Sequence, residues 1–106
     1  MAEIDALVVS NVKSFLRKLT QSGIKISKAY IFGSYAKGVA GKWSDIDVAV
    51  VSSHISNDRF EERIRLTEMA INIDNRIEPL PFNINNFVDG DPLVREIKKE
   101  GISVIA

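Results

Sequence analysis

Between residues 3 and 21, Ile4, Leu7, Val8, Val12, Phe15, Leu16 and Leu19 recur at helical spacing. Ser10, Asn11, Lys13, Ser14, Arg17 and Lys18 fall mostly on the other side, so the segment predicts an amphipathic helix lying on a sheet. Gly23 stands where a helix-closing glycine belongs. Residues 29–32 form a short β-prone run that stops at Gly33, and residues 46–51 read as a second strand. Helical spacing returns over 57–73 through Phe60, Ile64, Met69 and Ile71 or Ile73.

Residues 76–82 predict a third strand. Pro79 and Pro81 both lack an amide donor, which places that strand at a sheet edge or ends it early. Asp91-Pro92 opens a short helix as N-cap and first helical residue, with Lys98 and Lys99 in its last turn and Gly101 closing it. Residues 102–105 are a final short strand or a docking tail. The order α-β-β-α-β-α predicts an α/β (α+β) domain, a small mixed β-sheet with helices packed on it.

A chain of 106 residues fits one domain, 1–106, and buries only about two-thirds of its unfolded surface. A partner or a self-associating surface would add to its stability, so a homo-oligomer is one expectation. Fourteen Lys+Arg balance fourteen Asp+Glu, and that neutrality argues against direct nucleic-acid binding, which favours a basic excess. No cysteine is present, which excludes disulfides, thiolate metal sites and a cysteine nucleophile. The acidic start lacks the basic and apolar segments of a signal peptide, and no apolar run approaches the roughly 20 residues of a membrane span. The expected compartment is the cytoplasm, with no membrane contact.

Chemistry concentrates in Ser44-Asp45-Ile46-Asp47-Val48-Ala49-Val50. Alternation along a strand puts Asp45 and Asp47 on one face, about 6.5 Å apart along the backbone, and Ile46, Val48 and Val50 on the other. Two carboxylates so close repel each other unless a cation sits between them, and magnesium favours such hard oxygen ligands. Asp-x-Asp alone reads equally well as a solvated strand entrance. Gly33-Ser34 precedes Asp45 by a ten-residue interval, at the end of the previous strand. A glycine there lets a phosphate approach the main chain, and Ser34 offers a hydroxyl and an amide. Residues 34–38 could form a short helix facing the same anion, with Lys37 adding positive charge. A P-loop fails: Gly33 and Gly38 have its glycine spacing, but Val39 stands in place of the lysine. Gly41-Lys42 has the lysine, but Ala36 replaces the first glycine and Trp43 the hydroxyl residue.

Gly33-Ser34-Tyr35-Ala36-Lys37-Gly38 followed by Ser44-Asp45-Ile46-Asp47 resembles the signature of the DNA polymerase β-like nucleotidyltransferases. The nearest likeness is to their minimal single-domain branch, often encoded beside a HEPN-domain protein. The resemblance covers residues 29–82, and the segment from Asp91 to Gly101 also looks like the tail of these minimal proteins. It implies metal-dependent transfer of a nucleoside monophosphate, AMP from ATP, to a hydroxyl acceptor. Asp45 and Asp47 would hold two Mg2+ ions, and Gly33 and Ser34 the terminal phosphates.

The family also expects a third carboxylate on a later strand. Glu78 is the candidate, and Asp74 competes with it, although Asp74 also suits the turn after the preceding helix. Small relatives act as antitoxins of a HEPN toxin, some by modifying a tyrosine of that partner. A non-catalytic antitoxin that neutralises its partner by contact is the alternative. An antibiotic- or RNA-modifying transferase would need extra helical domains for which this length leaves no room. His54 reads as a turn residue, Trp43 as packing for the loop beside the site, and Arg59, Glu61, Glu62, Arg63 and Arg65 as a solvated helix face.

Overall fold

The computed structural model describes residues 5–41 and 43–104. The expected helix start at Glu3 and Ile4, together with Lys42 and Ile105, lies outside them. Helix α1 (Ala6–Gln21) is capped by Asp5, whose side chain accepts from the Leu7 amide. It buries Val8, Val12, Phe15, Leu16 and Leu19, and Leu7 alone of the named stripe that is described points outward, 63% exposed. Ser22 is the C-cap, and Gly23 follows it at φ 100°, a conformation that side-chain-bearing residues rarely adopt. Strand β1 (Lys28–Phe32), the single turn α2 (Ser34–Lys37) and strand β2 (Ile46–Ser52) come next. Helix α3 (Arg59–Ala70) leads to strand β3 (Ile77–Asn83), a 3-10 turn (Ile84–Asn86), helix α4 (Pro92–Glu100) and the two-residue strand β4 (Ile102–Ser103).

The sheet order is β3-β2-β1-β4, with β2–β3 parallel and the other two pairs antiparallel. It is the expected mixed sheet in an α+β domain. Strand β3 is at an edge, as its prolines required. Pro79 and Pro81 share parity, so both missing donors fall on one side of the strand and cost the ladder nothing when that side carries no neighbour. Asp91 and Pro92 open α4 as expected, the Asp91 side chain accepting from the Leu93 amide, and Gly101 is its C-cap.

The two sheet faces carry separate cores. Ile31, Ile46, Val48 and Val50 pack with α1 and with Leu66 and Ala70 of α3. Ala49, Val51 and Phe82 pack with Phe87, Val94 and Ile97 on the other face. Helix α3 departs from its expected apolar stripe, because Phe60, Ile64 and Ile71 are exposed at 74%, 46% and 58%. Its buried line is Glu62, Leu66 and Ala70. Glu62 turns that face inward by accepting from the Ser56 amide at 2.8 Å, and Asp58 caps the first turn through the Glu61 amide. Two apolar faces compete on this helix, and the hydrogen bond to Glu62 belongs to the face that wins.

Candidate functional site

Register places the candidate carboxylates. Asp47 on β2 lies directly opposite Glu78 on β3, and opposite Phe32, the last residue of β1, on its other side. Asp45 immediately precedes β2, close enough for its charge to act on Asp47. Ile46 and Val48 point into the first core with no exposure, which leaves Asp47 on the sheet face of Ala49 and Val51. Burial, then the charges of Glu78 and Asp45, push the Asp47 carboxyl above its usual range, while Arg63 pulls it back. Three acids therefore lie at one end of the sheet, where Glu78 and Asp45 act on the charge of Asp47.

Gly33 closes this end. It follows β1 at φ 71° and caps α2, and a Cβ added there would land on Asp47 Oδ2. Only glycine permits both the backbone conformation and the approach of that carboxylate. Ser34 starts α2, and the first-turn amides of a helix have no partner within it. Gly38 ends the turn in the left-handed conformation.

Lys37 is directed elsewhere. Its ammonium lies 3.4 Å from Glu96 Oε1 and 3.7 Å from Glu100 Oε2, tying α2 to α4. Asp74, the competitor for the third acid, is spoken for in the turn before β3. It accepts from Arg76 through both oxygens and from Asn11 Nδ2, and the Arg76 guanidinium lowers its pKa to about 2. Arg76 also donates to the Tyr35 hydroxyl at 3.1 Å. These groups border a cavity of about 400 Å³ lined by Asp5, Val8, Tyr35, Gly38 and Gly41, separate from the carboxylates. Of the two candidates, Glu78 is the one set against Asp47.

Arg63 is the residue that the sequence did not single out. Its Nη2 donates to Glu78 Oε2 at 2.8 Å, with both side chains about half exposed. Arg59, one turn earlier, lies over the Phe82 ring at 4.6 Å. Both arginines thus reach from α3 to side chains of the opposite sheet face, which no helical-face pattern indicates. Arg65, by contrast, pairs within its own helix with Glu62. Trp43, expected to pack the loop, is 84% exposed. His54 serves its turn, with Nδ1 accepting from the Lys25 amide at 3.0 Å.

The donors Asp45, Asp47 and Glu78 are all hard oxygens, the set that suits magnesium, and Asp47 is short of compensating positive charge. Among the described residues, no three acidic or histidine side chains are grouped to hold a metal as they stand. Glu78 is meanwhile bonded to Arg63. No helix among those residues is long and apolar enough to cross a membrane.

Comparison with known structures finds the same fold in other proteins. A Sulfolobus solfataricus protein assigned as a nucleotidyltransferase is 21% identical, with a TM-score of 0.64 over 91% of this chain and 78% of its own. A toxin–antitoxin complex crystallised with AMP-PNP contains a chain 18% identical, with a TM-score of 0.66 over 92% and 73%. In a tyrosine-to-alanine variant of the toxin–antitoxin MntA-HpeT, a chain is 19% identical, with a TM-score of 0.61 over 88% and 70%. No curated protein matches the sequence. The family model for the nucleotidyltransferase domain matches residues 9–104, from α1 through the last strand and so across Asp45, Asp47 and Glu78. The chain belongs to the nucleotidyltransferase domain family.

Proposed function

We propose that this domain is a magnesium-dependent transferase that moves AMP from ATP onto a tyrosine hydroxyl of a HEPN-domain toxin, and so acts as its antitoxin. One observation carries the reading: Asp47 and Glu78 face each other across β2 and β3, with Asp45 two residues before Asp47 and Gly33 against its carboxylate. Asp45 and Asp47 would hold the cations, two Mg2+ ions, and Glu78 would be the third ligand. Bound magnesium would stabilise charge on the phosphates and lower the pKa of the attacking hydroxyl. Glu78 would accept that proton. Ser34 and the main chain at Gly33 would bind the leaving phosphates by hydrogen bonds. Lys37 can add its charge there only by leaving Glu96 and Glu100.

The choice of nucleotide and acceptor draws on the likeness to toxin–antitoxin chains, one of them crystallised with AMP-PNP. A second reading, neutralisation by contact alone, is favoured by one feature, the bond from Arg63 that occupies Glu78. The two separate in a single experiment. The domain is incubated with its HEPN partner, magnesium and each nucleoside triphosphate, and intact masses are measured. One added nucleoside monophosphate on the partner, from ATP alone, supports transfer. A neutralised partner of unchanged mass would establish the contact mechanism instead.

A further inference from the structure

Arg63 stands where the proposed metal site needs a positive charge. It projects from a helix whose position is fixed three ways. Asp58 caps the first turn, Glu62 bonds the Ser56 amide, and Leu66 and Ala70 are buried against the sheet. From that frame Nη2 reaches Glu78 Oε2 at 2.8 Å through one hydrogen bond. Both side chains are about half exposed, and ion pairs so exposed contribute little to global stability. The consequence of the pair is therefore local. It fixes Glu78 opposite Asp47, and it places a guanidinium beside acids that otherwise repel one another.

We infer that Arg63 is the built-in countercharge of the carboxylate cluster, holding Glu78 in place and competing with the divalent cation for it. The inference rests on the proposed metal site. With a cation absent, the guanidinium supplies the compensation at Glu78. When a cation enters, Arg63 must give up or share that oxygen, and its charge opposes entry. The cation affinity of the nucleotide-free protein is accordingly set lower than three bare carboxylates would give. Loading is then favoured when the nucleotide brings further ligands for the ion.

The test is calorimetric titration of the nucleotide-free chain with Mn2+ and with Mg2+, for the parent and for Arg63→Gln, Arg63→Lys and Asp45→Asn/Asp47→Asn. Removing one positive charge beside a divalent ion should tighten binding about five- to tenfold in Arg63→Gln. Arg63→Lys keeps the charge and should stay within about twofold of the parent, which separates charge competition from a change of shape. Urea midpoints for both Arg63 variants should match the parent, showing that each is folded. Affinity in Arg63→Gln that is unchanged or weaker, while the double aspartate variant loses binding, overturns the role of Arg63 and leaves the metal site standing. Equal cation binding by the parent and the double aspartate variant overturns the metal site, and the role of Arg63 with it.

Discussion

Replacing Gly33 with alanine introduces two separable costs. Its φ of 71° with ψ of −147° lies in a backbone region essentially open only to glycine, which costs a residue with a Cβ about 1–3 kcal/mol. The new Cβ would also land on Asp47 Oδ2, and forcing a packed neighbour aside costs roughly 1–3 kcal/mol more. Gly23 supplies the control, because it has φ 100° with nothing within 4 Å of an added Cβ. Gly23→Ala should therefore lose only a backbone part, about 1–2 kcal/mol, against roughly 2–6 kcal/mol for Gly33→Ala. Urea denaturation followed by circular dichroism measures both, and unchanged slopes confirm that stability alone has moved. A domain of this size has about 5–15 kcal/mol in total, so Gly23→Ala should still fold in buffer, and circular dichroism without urea shows the folded fraction of Gly33→Ala. Only Gly33→Ala should also damage nucleotidyl transfer, by about 100-fold if Asp47 moves near 1 Å. A Gly33→Ala protein no less stable than Gly23→Ala, with full activity, would refute the contact between Gly33 and Asp47.

Two further outcomes follow from the charged groups around the site. The folded-state pKa of Asp74 is about 2, below its ordinary 3.8, so the unfolded chain takes up this proton first. Its contribution, about 1–2 kcal/mol after allowing for partial exposure of Arg76, is complete above about pH 5 and lost as pH falls from about 4 to 2. Urea midpoints across that range should show the decline, and Asp74→Asn should flatten it; an equally steep decline in the variant would remove Asp74 as its source. Lys37→Ala breaks two half-exposed ion pairs, so its unfolding free energy in urea should fall by no more than about 1 kcal/mol. Its KM for the triphosphate should rise less than about threefold, and a tenfold rise with kcat unchanged would put the ammonium on the nucleotide.

Much of this fold is written locally. The α1 stripe, the Asp91-Pro92 helix start and the edge position forced by Pro79 and Pro81 each depend on neighbours in the chain, and all appear in the structure. What sequence could not supply depends on how elements meet. The helical spacing in α3 fits two faces, and the buried one was settled by Leu66, Ala70 and the bond from the Ser56 amide to Glu62. Arg63 belonged to a helix face that reads as solvated until α3 is placed beside β3 and Glu78 comes within 2.8 Å. Glu78 and Asp74 were both open as the third acid. The β2–β3 register sets Glu78 against Asp47, whereas Asp74 is engaged by Arg76 and Asn11.

The central claim is that Asp45 and Asp47 support a metal-dependent transfer at the end of β2. It is tested most directly by Asp45→Asn/Asp47→Asn, a pair of substitutions that preserves side-chain size and removes both charges. Transfer of label from a radiolabelled nucleoside triphosphate to the proposed HEPN partner is measured in magnesium, beside circular dichroism of both proteins. The account predicts label on the partner with the parent domain, none with the double variant, and superimposable spectra. Equal labelling by the two proteins would contradict it.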